Sequence, residues 1–425
     1  MQKNHKLFLL IGLFVMIFGE AAFAQLSPYQ GIINPYERNG GLGGSFGGVI
    51  IAEPDAIPAP LDNPAGLAFQ RAPQVFAGMN LEFTKYVHEY RYHNFTETES
   101  DKSEFNPGMV AVSYPLTLLH REAALAVSLA KIPAPEFEAG YITKIDSFPD
   151  MNHNRSGNVG TATIGVSMKI TPTLSIGLSY THWLGSWKWE DNEITSPTHP
   201  VANKAGKGEF IYDGNYFSLG MIKQMNRFAL GLVLQSPFTL MHAEDITYRL
   251  WNFAEVLDCE QQFKGAGAIG LSYRLGNHAK LGINYKYQKE LKISLNRDYY
   301  QDNKLKKDTH KLLIGGEYNF HFQNLAIPVY IAYQRLWYED FYDSSPGYMA
   351  VYLEDEYRIY AGVQMGVNCY YKSFGLHLAG GWQQYTIKVY NELFAPPSSM
   401  ISTTSWFDVK KTEILINFGL SYYLK

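Results

Sequence analysis

Beyond its first two dozen residues the chain has no apolar run near the ~18 residues that a membrane helix requires. If the protein is embedded in a membrane it is therefore a closed β-barrel, because only helices and barrels satisfy every backbone group in lipid. The other option is a secreted soluble protein. A surplus of one charge is also missing. The 36 Lys and Arg against 40 Asp and Glu leave a net charge of −4, which argues against a nucleic-acid partner. Cysteine is scarce, with Cys259 and Cys369 the only two. An oxidising compartment permits a disulfide, but the strand map below puts Cys259 in an outer loop and Cys369 in a strand, so we expect them unpaired. Metal-ligand spacing is absent too. His120, His182, His242, His278, His310, His321 and His377 stand singly, with no HExxH and no Cys pair, so neither a metal nor a cofactor is expected.

Two catalytic-looking patterns fail on context. Gly43, Ser45 and Gly47 match a nucleophile elbow, which needs a strand before and a helix after; here the flanks are Gly-rich and no helix follows. Gly265, Gly267 and Gly270 match a dinucleotide fingerprint but lie inside a strand, with no helix to cradle a phosphate. No Ser, His and acid set stands out. The chain is read as a non-enzyme with no catalytic residues.

What is present begins with a targeting signal. Lys3 and Lys6 precede an unbroken apolar run over 7–18, and Ala22, Phe23 and Ala24 form a small-x-small cleavage site. Residues 1–24 are a cleaved secretory signal peptide and the mature chain starts at Gln25. Next comes a Gly-, Pro- and Ala-rich stretch over 40–68. Its Gly and Pro content argues against a helix or a central strand. Its apolar residues, among them Phe46, Ile51, Leu61 and Leu67, are too many for a solvated linker. A compact, irregular, buried plug over 25–72 reconciles the two, and inside a membrane such backbone belongs within a barrel.

From about residue 74 to the end, period-two alternation repeats. Leu174, Ile176, Leu178 and Tyr180 share one face, with Ser175, Gly177 and Ser179 on the other. In the last strand Ile414, Ile416, Phe418, Leu420, Tyr422 and Leu424 oppose Asn417, Gly419 and Ser421. The second face is small and polar rather than charged, as expected of a crowded lumen opposite a lipid-facing surface. The aromatic fraction of 15%, with 31 Tyr and 25 Phe, suits a protein with two membrane interfaces. We count about 14 strands over 73–425: 74–92, 107–116, 122–132, 157–170, 174–194, 208–224, 228–244, 264–275, 280–296, 308–322, 325–342, 358–373, 374–391 and 408–424. Short turns at 171–173, 224–226, 276–278 and 323–324 alternate with long loops near 93–106, 133–156, 195–207, 245–263, 297–307, 343–357 and 392–407. That sorting marks an all-β, transmembrane, antiparallel outer-membrane barrel with an N-terminal hatch in its lumen.

The hatch segment carries Gly44 and Phe46 in GGSFGG (43–48), then EPDA (53–56), then Asn63, Pro64 and Ala65 in NPAGLA (63–68). It resembles the start of the FadL family, outer-membrane transporters of long-chain fatty acids and other hydrophobic compounds (the OMPP1/FadL/TodX type). The resemblance implies a 14-stranded barrel plugged by a small N-terminal hatch, located in the cell outer membrane. It also implies passive, hatch-gated uptake of a fatty acid or similar molecule, with outer-membrane lipid as surroundings. PorV-like barrels of type IX protein secretion open with similar segments. They supply the alternative function, a component or shuttle of that pathway with an envelope protein as partner. Without the family, Pro64 pushes Asn63 to an extended conformation and Asn63 mimics a turn by bonding nearby backbone. A hatch hinge and an ordinary tight turn look alike at this level.

Candidate ligand residues follow from parity. Trp183, Trp187 and Trp189 point inward above the bilayer if parity holds from Leu174, and so offer an apolar entry groove; the plainer reading is an interface girdle or strand packing. Tyr333, Trp337, Tyr338 and Phe341 carry the same ambiguity. Arg274 and Lys286 face the lumen. Each either attracts a carboxylate head group or, more simply, pairs with an acid of the hatch or a neighbouring strand.

Overall fold

The structure, a computed structural model, describes residues 23–24, 51–52, 62–90, 98–132, 142–143, 151–193, 204–250, 253–296, 305–322, 325–341, 358–391 and 405–424. Nearly all of the expected signal peptide, together with Gly44 and Phe46, falls outside the described residues.

The strands close into a 14-strand antiparallel barrel. They are β1 (Gln74–Tyr90), β2 (Thr98–Leu118), β3 (Arg121–Ile132), β4 (Met151–Thr171) and β5 (Leu174–Glu193). Three strands come in two pieces each: β6 (Lys204–Tyr212 with Asn215–Met225), β7 (Phe228–Gln235 with Phe238–Leu250) and β8 (Phe253–Phe263 with Ala266–Leu275). Then follow β9 (Ala279–Asn296), β10 (Leu305–Phe322), β11 (Leu325–Phe341), β12 (Arg358–Tyr371), β13 (Phe374–Asn391) and β14 (Ser405–Tyr423). The ring closes where β14 pairs with β1, Phe418 opposite Met79.

Alternation explains why these residues make this wall. On β5, Ser175, Gly177, Ser179 and Thr181 are buried while Ile176 and Leu178 are exposed. On β14, Asn417 is 4% exposed and Ser421 2%, against 61% for Leu420. The inversion of a soluble fold, with small polar groups inside and large apolar groups outside, runs round the ring through Val112, Val127, Ile164, Leu219, Leu234, Leu271, Ile283 and Leu376. Only a lipid solvent makes such a surface stable. Inside, aromatic rings cover glycines of adjacent strands. A Cβ on Gly366 would meet the Tyr330 ring at 2.4 Å, and one on Gly419 would meet Phe76 at 2.8 Å.

The main correction to the strand map concerns length. Several stretches expected as loops continue the wall upward. The segment 245–263 is a hairpin, Leu250 opposite Phe253, and β2, β4, β6 and β10 all begin inside stretches expected as loops. Cys259 therefore lies in β8 opposite Leu295 rather than in a loop, and Cys369 is a free thiol in β12. The physical reason is that cross-strand pairing persists above the lipid, where alternation no longer has to separate lipid from lumen.

Candidate functional site

The described part of the N-terminal segment lies against the inner wall. Asn63 is extended (φ −141°), as a residue before proline should be, and caps a short 3-10 turn over Pro64–Phe69. Its Oδ1 accepts from Ala65 N at 3.1 Å, and its Nδ2 donates to Ile51 O at 2.6 Å and to Met221 O of β6 at 3.3 Å. One buried side chain thus ties two N-terminal segments to each other and to the wall. Ser175 Oγ of β5 donates to Ala65 O at 2.9 Å. Leu67 packs with Ala124 and Ala126 of β3, and Ala65 and Phe69 pack with Ile222 of β6.

Glycines make this approach possible. Gly177 of β5 lies opposite Gly220 of β6, and Gly231 of β7 opposite Gly270 of β8. A Cβ on Gly177 would meet Pro64 C at 2.4 Å, on Gly220 Asn63 Oδ1 at 2.1 Å, on Gly231 Ile51 O at 1.9 Å, and on Gly270 Ile51 Cβ at 2.7 Å. Four consecutive strands therefore form a flat seat for the backbone of the N-terminal segment. The second set-aside motif is explained in part here, since Gly270 belongs to this seat. On β9, Lys286 Nζ contacts Asp62 Oδ1 at 2.8 Å.

Above the seat the wall is interrupted at one height on neighbouring strands. β6 breaks at Asp213–Gly214, β7 at Ser236–Pro237, and β8 at Lys264–Gly265, while the β9–β10 register shifts between Gln288 and Leu291. On β5, Gly185 takes φ +125°, and on β8 Gly265 takes φ +116°, both left-handed values that favour glycine. Pro237 cannot donate to the ladder. Across the breaks the inward parity changes, from Val233 to Leu240 on β7 and from Gly270 to Phe263 on β8.

The inner positions at that height are mostly aromatic, with Leu240 and Gly214 among them. Trp183, Phe210, Tyr212, Tyr216, Leu240 and Phe263 are all buried. Phe238 stacks on Phe263 (centroids 4.8 Å apart, 13° between planes) and tilts against Tyr216 at 4.8 Å. Trp183 N donates to Gly214 O at 2.7 Å. Trp183 is nine steps along β5 from Leu174, about 30 Å of strand, which at a tilt of about 40° places the cluster roughly 23 Å above the short turns, near the outer edge of an apolar band about 25 Å tall. Behind it, on the outer surface, Tyr180 OH donates to Asn215 Oδ1 at 2.5 Å and His182 Nδ1 lies 2.8 Å from the same atom.

Of the residues expected from parity, Trp183 and Lys286 face the lumen, Trp183 in the cluster and Lys286 in the contact with Asp62. Trp187 and Trp189 lie on β5 opposite Phe210 and Gly208, and their side chains are outside the described residues. The same holds for Trp337, Tyr338 and Phe341 on β11. Arg274 is exposed at the short-turn end of β8 and is not brought together with Trp183. Tyr212, Tyr216, Phe238 and Phe263 went unread as site residues; the Asp-Gly and Ser-Pro dipeptides inside β6 and β7 were the available signal.

On the opposite wall, His377 of β13 joins Asn368 of β12 and Ser421 of β14. Its Nδ1 lies 2.9 Å from Asn368 Oδ1 and its Nε2 2.9 Å from Ser421 Oγ. The order is that of a Ser–His–Asn set, which had not stood out in the sequence. All three are buried, and the imidazole is wedged between the edges of Phe76 and Tyr370. A substrate has no approach to Ser421 in this arrangement, so we read it as a satisfied polar network. Among the described residues no group of three metal-binding side chains occurs.

No protein-family model and no curated protein matches the sequence. Solved structures do match in fold. A Pseudomonas aeruginosa FadL homologue superposes with a TM-score of 0.56 at 13% identity, over 93% of this chain and 100% of its own. The Pseudomonas putida toluene transporter TodX gives 0.52 at 14% identity, over 94% and 99%. The Ralstonia pickettii toluene transporter TbuX gives 0.50 at 11%, over 93% and 100%. The chain has the fold of this group of barrels along nearly its whole length.

Proposed function

We propose that this protein is an outer-membrane transporter for passive uptake of a hydrophobic compound, a long-chain fatty acid or a molecule of similar character. The observation that carries the reading is the stacking of two features. A buried aromatic cluster lies where the wall is interrupted, and an N-terminal segment bound to the inner wall, which we read as a plug, lies beneath it. The plug blocks free diffusion, so an apolar solute must bind before it passes. The aromatic cluster offers large apolar area at the height where a solute arrives from outside. Transport channels for hydrophobic compounds share the fold, which supports hydrophobic cargo and a non-enzymatic role.

In this reading the solute displaces side chains of the cluster and leaves either past the plug or sideways through the interrupted ladder. The lateral route fits an apolar cargo, which never has to enter water. The reading is tested by purifying the full chain in mild detergent and extracting bound small molecules for mass spectrometry. Enrichment of fatty acids or another apolar compound over an unrelated barrel is the expected result. No enrichment, together with no uptake into liposomes carrying the protein, would reject it.

A further inference from the structure

The short-turn end of the barrel is basic around its circumference. Arg71 before β1, Arg121 at the β2–β3 turn, Arg227 at the β6–β7 turn, Arg274 at the end of β8 and Lys372 at the β12–β13 turn are all exposed. Among the described residues two carboxylates lie near this end, each beside a lysine, and Glu122 also faces Arg71 of the collar. Glu122 contacts Lys169, and Glu317 is buried with Lys280 Nζ 3.3 Å away. Arg121 donates to a neutral acceptor, Ile170 O.

Immediately above this collar is a row of exposed aromatic side chains: Phe228, Phe322, Tyr371, Phe374 and Tyr422. The rings of Phe374 and Tyr422 lie with centroids 4.9 Å apart, and Lys372 Nζ sits 5.1 Å from the Tyr371 ring centre. An aromatic girdle marks the membrane–water boundary. Cations just beyond it stand at the depth of lipid phosphates.

We propose that this collar binds the phosphates of anionic phospholipids in the periplasmic leaflet. Distribution selects the partner. A protein would dock on one side, and its charge partners would cluster there. Here cations are spread round the ring, before β1, at the start of β3, in the β6–β7 turn, at the end of β8 and in the β12–β13 turn, which fits an annulus of lipid. Head groups seated there would fix the height of the barrel in the membrane and leave the lumen untouched.

The test uses the full-length barrel in bilayers of phosphatidylcholine with a minority of phosphatidylglycerol. After mild extraction, retained lipid is counted by mass spectrometry. Phosphatidylglycerol should be enriched over its share in the bilayer. R121Q/R227Q/R274Q/K372Q should lower that enrichment at least about fivefold, and high salt should lower it for the unaltered protein. Folding is checked by heat-modifiable migration on gels. If the quadruple variant does not fold, R227Q/K372Q, both in exposed turns, and the salt series decide. Absence of enrichment, or enrichment insensitive to salt and substitution, overturns the proposal. An acidic protein as the true occupant would give that same lipid-indifferent result.

Discussion

Lys286 and Asp62, 224 residues apart in sequence, meet at 2.8 Å inside the barrel. The contact joins the wall to the N-terminal segment that we read as a plug and, among the described residues, is an ionic pair beside neutral hydrogen bonds and the Lys169–Phe69 cation–π contact. The side chains are 15% and 26% exposed, so removing one partner falls between the ~0–1 kcal/mol of surface pairs and the ~3–5 kcal/mol of buried ones. Taking about 2 kcal/mol, Lys286→Met or Asp62→Asn should raise the released-plug population about 30-fold. Single-channel recording in planar bilayers should show more frequent openings in either variant. A charge swap, Asp62→Lys with Lys286→Asp, should recover part of the closure. Unchanged conductance in all three would mean that the pair does not hold the plug.

The glycine seat makes a second prediction with its own control. Gly220→Ala places a methyl group 2.1 Å from Asn63 Oδ1, and Gly231→Ala places one 1.9 Å from Ile51 O. Neither main chain nor a clamped Asn side chain yields cheaply, so each substitution should weaken plug seating by about 1–3 kcal/mol and increase leak of small solutes. Gly267→Ala on the same wall meets nothing closer than 3.8 Å. It should leave leak and stability near the parent protein. Equal effects at Gly220 and Gly267 would show that the seat is not what the glycines provide.

How far these features were readable follows from periodicity. Strand number and the lumen face of β5 and β14 were legible, because lipid on one side and a crowded lumen on the other impose a strict period of two. Asn63 was legible as a turn-former because Pro64 restricts it. Its bond to Met221 was not, since nothing local records which strand a plug residue will face. The interrupted wall was missed for a different reason. β6 and β7 read as continuous alternation and the first piece of β8 as loop, while Gly214, Pro237 and Gly265 coincide in height only after the strands are placed in register. Phe238 and Phe263 meet because parity changes on both their strands, and neither sequence alone predicts the other.

The aromatic cluster should control affinity for an apolar solute. Phe238→Ala removes the middle ring of the Phe263–Phe238–Tyr216 group and should weaken binding by about 1.5–3 kcal/mol, roughly 10- to 150-fold, in a fluorescence titration with a hydrophobic probe. Trp183→Ala also opens a cavity in a fully buried position, with an expected stability loss of about 3–5 kcal/mol, so Trp183→Phe is the better variant there. Binding that survives loss of Phe238 and the Trp183→Phe change would move the site elsewhere in the lumen.

The His377 network separates a structural reading from a hydrolytic one. Ser421 is buried, its hydroxyl is 2.9 Å from His377 Nε2, and Phe76 and Tyr370 flank the ring. Ser421→Ala leaves a buried ring nitrogen without its partner, at a cost of about 1–3 kcal/mol, measurable by urea unfolding in bilayers. A fluorophosphonate reagent should not label the folded protein, since a nucleophile needs both an approach for the ester and donors for the developing oxyanion, and the strand ladder with its covering rings offers neither at Ser421. Covalent labelling lost in Ser421→Ala and in His377→Ala, but retained in an unrelated Ser variant, would contradict this. The network would then have to open, and the Ser–His–Asn order would be chemistry rather than packing.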